Sequence, residues 1–80
     1  MTHQLLKLLA TDKQSGIRYT VAINKSISVD ILRELSADPD AGVRWGVTQN
    51  PATPVDILKV LAKDKDTRVA DSAKKAAEER

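Results

Sequence analysis

Apolar residues recur along this chain at two spacings at once. Within short windows they fall three and four residues apart, as Val55, Leu58, Leu61 and Ala62 do. Between windows the same types return after 26 residues: Leu6, Leu32 and Leu58; Leu9, Leu35 and Leu61; Ile17, Val43 and Val69. A polar series, Asp12, Asp38 and Asp64, keeps the same step. The short spacing is that of one face of an α-helix. A fixed step of about 20–50 residues marks a repeat architecture. Together they predict an all-α solenoid in one domain over residues 1–80. Its three 26-residue units span about 1–25, 26–51 and 52–80, the last a polar C-terminal cap.

Each unit reads as two helices, with five or six in all and no strand. The first helices are expected over about 3–11, 29–37 and 54–63. Thr2, Ser28 and Thr53 are placed as their N-caps, and Pro54 at the first helical position, where its missing N–H costs nothing. Their apolar stripes are assigned to Leu5, Leu6 and Leu9, to Val29, Leu32 and Leu35, and to Val55, Leu58 and Leu61. The second helices are expected over about 17–23, 43–49 and 67–78, as α-helix or partly 3₁₀. Ile17 and Val21 share one face, as do Val43 and Val47. Thr20 and Gly46 hold one repeat position, where small residues let a neighbouring helix come close. Gly16 and Gly42 read as turn glycines ahead of these helices. In the third unit Ala70 stands where Arg18 and Arg44 stand, and Asp71 where Tyr19 and Trp45 stand, as suits a terminal unit with a polar outer face. The expected core is Leu6, Leu9, Ile17, Val21, Leu32, Leu35, Val43, Val47, Leu58, Leu61 and Val69.

Composition narrows the function classes. Without cysteine there is no disulfide, zinc–thiolate site or thiolate-held iron–sulfur cluster. A small domain of this kind suits the cytoplasm. The N-terminal stretch lacks the basic region of a signal peptide, and Lys7 and Asp12 break its apolar run. No window offers the roughly 18 apolar residues of a membrane span, so no membrane partner is expected. Thirteen basic and eleven acidic residues leave a net charge of +2, scattered rather than clustered. That argues against a dedicated nucleic-acid binder. His3 is the single histidine and is read as solvent-facing, not as a metal ligand. No nucleophile–base constellation or phosphate loop is present, so no catalysis and no cofactor are expected.

The candidate functional residues lie on the second helices. Arg18 and Arg44 follow Asp12 and Asp38 by six residues. They either form a basic ladder for an acidic partner or tie units together through carboxylates. Tyr19 and Trp45, the only aromatics, are each two residues from both valine-face positions and so point away from that face. Tryptophan, tyrosine and arginine are the types enriched at binding hot spots. A partner surface is therefore placed on Arg18, Tyr19, Arg44, Trp45, Thr48 and Gln49. The N-terminal helix, with Leu5, Leu6, Leu8 and Leu9, has more apolar surface than one neighbour covers. It is either a self-association edge, an edge lacking a preceding repeat, or a face covered by Met1 and His3.

The segments NPATPVDILKVLAKDKDTRV and ADPDAGVRWGVTQNP resemble the leucine-rich repeat variant family, whose all-helical repeats are related in style to HEAT repeats. The likeness spans nearly the whole chain. It departs at Lys25, at Ser26-Ile27-Ser28 in place of Thr-Pro, and at Ala70 in place of arginine. The resemblance implies a right-handed α-solenoid and a non-catalytic protein-interaction or scaffolding role for a peptide or protein partner. Weak nucleic-acid binding through Arg/Lys and the two aromatics is the alternative. The cysteine-held cluster carried by some family members does not transfer.

Overall fold

Three sequence devices start the first helix of each unit. Thr2 Oγ1 accepts the Leu5 N–H, Ser28 Oγ accepts the Ile31 N–H, and Pro54 sets the third start through its extended backbone alone. The computed structural model describes residues 2–80, and it is all α. The helices are α1 (His3–Leu9), α2 (Ser15–Ala22), α3 (Val29–Leu35), α4 (Ala41–Gln49), α5 (Val55–Leu61) and α6 (Thr67–Glu78). No strand occurs among the described residues. The second helices are α-helical, and α2 and α4 begin two residues ahead of the expected starts. For α4 the reason is Asp40, whose Oδ1 accepts the Gly42 and Val43 N–H groups; Asp66 does the same for α6.

The cap of α5 departs from expectation. Thr53 is not the N-cap. Its repeat counterpart is Ile27, and both side chains turn inward and are buried. A buried hydroxyl needs a partner, and Thr53 Oγ1 donates to the Val47 carbonyl at 2.7 Å. Pro54 takes the position that Ser28 holds one unit earlier. Gly16 and Gly42 also differ from their expected place. They lie in the first turns of α2 and α4, and no glycine has positive φ.

Every first helix ends in the same tight turn. The Asp12, Asp38 and Asp64 N–H groups bond back to Leu9, Leu35 and Leu61 carbonyls. Each aspartate then accepts, through Oδ1, the N–H two residues on, from Gln14, Asp40 and Asp66. The chain so reverses that α2, α4 and α6 pack side by side, with α3 against both α2 and α4, and α5 against both α4 and α6.

The core is aliphatic: Leu6, Val21, Leu32, Leu35, Val43, Val47, Leu58, Leu61 and Val69 are buried as expected. The stripes on α3 and α5 are rotated from the expected ones. Ile31 and Ile57, only 2% exposed, join the core, whereas Val29 and Val55 at the helix starts stay exposed. Leu9 and Ile17, expected in the core, are half-buried. Their counterparts Leu35, Leu61, Val43 and Val69 are covered by the unit before them, and among the described residues nothing covers Leu9 and Ile17 in that way. Leu8 is 68% exposed, and so is its counterpart Val60. Its exposure therefore belongs to the outer side of the first helices and not to the chain's edge. His3 is exposed and does not cover it; Met1 lies outside the described residues.

Leu35 sits in the middle unit at the foot of α3. Leu35→Ala should lower stability by roughly 2–5 kcal/mol, and Leu8→Ala by less than about 0.5 kcal/mol, as read from paired thermal and urea melts. A larger loss at Leu8 would reverse the assignment of inside and outside.

Candidate interaction surface

Arg18 and Arg44 occupy equivalent places and make equivalent bonds. Arg44 Nε and Nη2 donate to the two carboxylate oxygens of Asp64 at 2.8 and 3.2 Å, and Nη1 donates to the Asp38 carbonyl at 2.6 Å. Arg18 donates to Asp38 at 2.8 and 3.1 Å, and to the Asp12 and Lys13 carbonyls. Each guanidinium thus holds the turn of its own unit and the carboxylate of the next. Arg44 is only 7% exposed. Burial pushes the Asp64 carboxyl up, but the Arg44 bond, the Asp66 N–H and the nearby Arg44 and Lys65 charges outweigh it and hold the group below its ordinary value. The Asp64 bond in turn raises Arg44. These arginines join units, and their donors face inward. They are not the exposed basic ladder that one reading of the sequence allowed.

Thr48 also leaves the expected surface, being 2% exposed. Its Oγ1 donates to the Trp45 carbonyl and shares a 2.7 Å hydrogen bond with Ser72 Oγ on α6. Gln49 is exposed and donates through Nε2 to the same Ser72 hydroxyl at 2.6 Å. Position 72 is the counterpart of Gly46, so α6 covers Thr48 through the small-residue position.

Tyr19 and Trp45 come together as the repeat step requires. Their rings are stacked, with centroids 6.3 Å apart and planes 11° apart. Trp45 is 36% exposed, while Tyr19 is half-buried and packs on the core. Gly46 makes this possible: a Cβ there would meet Tyr19 Cδ1 at 2.9 Å and the Ala22 Cβ at 3.2 Å. The glycine lets α4 approach α2 and seats the tyrosine ring between them.

The aromatic pair forms one wall of an open groove of about 530 Å³, lined also by Ser15, Gly16, Asp40, Gly42 and Arg68. Gly16, Gly42 and Arg68 are repeat equivalents. Two glycines leave the groove open along the first turns of α2 and α4, and at the third unit a long cationic side chain closes it. Arg68 is well exposed, its nearest carboxylate being Asp66 at 3.8 Å. These groove residues were not among the expected site residues. Their signal was in the sequence, since position 16/42/68 changes from glycine to arginine where position 19/45/71 changes from aromatic to aspartate.

Among the described residues no group of three or more potential metal-ligating side chains gathers, and no helix is long and apolar enough to cross a membrane. Comparison of the chain with protein-family profiles, curated proteins and solved structures finds no match.

Arg44→Ala should cost about 3 kcal/mol, because it strands a buried carboxylate. Arg44→Lys should restore only part of that, lacking the two-pronged geometry. The pH dependence follows from the lowered Asp64 group. Its stabilising contribution is full above the ordinary value of 3.8 and is lost as pH falls below that toward the folded value. Urea melts at pH 7 and pH 3 should therefore differ more for the parent than for Asp64→Asn.

Proposed function

We propose that the chain is a non-catalytic protein-interaction module: a right-handed α-solenoid of three 26-residue units, of the leucine-rich repeat variant kind, that takes an extended peptide along its second helices. The observation that carries this reading is the partly exposed Trp45 ring stacked on Tyr19 beside a groove opened by Gly16 and Gly42. A stacked pair supplies a broad apolar plate at little cost in side-chain freedom, and such anchors dominate binding energy. Arg68, exposed and held only by a long 3.8 Å pair with Asp66, offers a cation at the groove's end for a carboxylate of the ligand. Asp40, the one carboxylate lining the groove, is occupied in capping α4.

The arginine bonding favours a protein ligand over nucleic acid. Strand binding needs several cations beside its stacking platform; Arg18 and Arg44 are committed to carboxylates and carbonyls, which leaves Arg68 as the single cation lining the groove. The working surface is then Tyr19, Trp45, Arg68 and the glycine positions, with Gln49 beyond.

Trp45 is the single tryptophan, so its fluorescence reports the site directly. Peptides selected from a displayed library on the immobilised chain should quench or shift that emission on titration. Trp45→Ala should leave the melt within about 1 kcal/mol of the parent while weakening the selected peptides by about 2 kcal/mol or more, roughly 30-fold in Kd. Selected peptides that bind Trp45→Ala as tightly as the parent would count against the groove.

A further inference from the structure

The edge made by α1 and α2 carries the same equipment as the two internal junctions, and among the described residues no further helix lies against it. Leu5 is 43% exposed where Ile31 and Ile57 are sealed. Leu9 and Ile17 are half-buried where Leu35, Leu61, Val43 and Val69 are fully buried. Together with Leu6, Val21, Thr20 and Asn24 they line a mainly apolar hollow of about 130 Å³.

The polar groups repeat the contrast. Asp38 and Asp64 each accept one backbone N–H and two guanidinium bonds from the unit before. The Asp12 carboxylate accepts the Gln14 N–H at 2.9 Å, and among the described residues no guanidinium bonds it, since Arg18 reaches only the Asp12 carbonyl. Asn50 Nδ2 donates to the Ala22 and Asn24 carbonyls at the end of the preceding helix, at 2.7 and 2.9 Å. The matching amide of Asn24 meets no such carbonyl among the described residues.

We propose that this edge docks a partner protein presenting a helical unit of the same construction. The internal junctions specify its chemistry. It offers a helix with an arginine for Asp12, a small residue four positions later as Ala22 follows Arg18 and Thr48 follows Arg44, and helix-end carbonyls for Asn24. Its apolar side fills the hollow over Leu9 and Ile17. Charge complementarity rules against a second copy stacked head to tail. The outer helix of such a copy, α6, has Ala70 at the arginine position and Asp71 beside it, so it brings no guanidinium to Asp12.

The test supplies such a unit to the full chain. A copy of residues 26–52 joined directly ahead of residue 1 keeps the repeat step and sets the copy's Arg44 against Asp12. This fusion should melt about 5 °C or more above the parent, on the scale expected for one added junction, and should slow amide exchange at Leu9 and Ile17. Changing the copy's Arg44→Ala, or Asp12→Asn in the fusion, should remove most of the gain. A fusion that melts with the parent, an added unit that stays unfolded, or a gain indifferent to both substitutions would overturn the proposal. So would a parent chain that sediments as a dimer dispersed by Leu5→Asp, since the occupant would then be a second copy. Trp45→Ala made at residue 45 of both the parent and the fusion should leave the difference between their melts unchanged, which separates this edge from the peptide groove.

Discussion

The interaction on which the rest of the structure depends is the guanidinium held between a turn carbonyl and the next unit's carboxylate. The aspartates at the turns are there because their side chains fold the backbone, each accepting an N–H two residues ahead. That duty carries Asp38 and Asp64 into places with little water, where a lone carboxylate is costly. An arginine exactly one unit back removes the cost and fixes a distance. Because it also grips its own turn, the spacing and tilt between consecutive second helices are set by one rigid, planar group. The apolar faces then meet in one register, and the aliphatic core needs no large aromatic residue to find it.

Close approach is the second consequence. With α4 drawn against α2, position 46 has no room for a side chain, and the tyrosine ring takes the space. The ring packs on the core, and Trp45 from the next unit stacks on it. The groove is thus a by-product of how the units are joined. The same small-residue position filled by serine, at Ser72, ties α6 to Thr48 and Gln49 by hydroxyl bonds instead. Glycine at 46 with aromatics at 19 and 45 gives one junction an aromatic plate, and serine at 72 with Asp71 beside it gives the next a polar seam.

Much of this was legible in the chain. Helix number, approximate spans and most of the core followed from the short and long spacings, because burial of one helical face imposes both. What failed has physical causes. Val29 and Val55 looked like the head of an apolar stripe, but the buried face is centred on Ile31, Leu32 and Leu35, and on Ile57, Leu58 and Leu61, roughly 110° around the axis from each valine. Thr53 has a good cap's chemistry, yet the repeat register places it opposite Ile27, inside. Thr48 is buried because α6 lies over it, a long-range fact that local spacing does not carry. Gly16 and Gly42 looked like turn formers because glycine often is one. Here they matter for the space they leave. The arginine ladder was visible as a pattern, but its bonding partners were settled only by geometry.

The change from Arg18 and Arg44 to Ala70 has a further effect, on assembly. A stack whose two ends match can grow without limit, and a non-closing head-to-tail contact is how filaments begin. Here one end presents the acceptor half of the junction, while the other lacks the guanidinium half. The described helices therefore have a direction: the Asp12 carboxylate stands on the α1–α2 side, and Ala70 on α6 brings no guanidinium to match it. The bond that joins α2 to the turn before α4, and α4 to the turn before α6, has no counterpart that α6 could offer to the Asp12 turn of another copy.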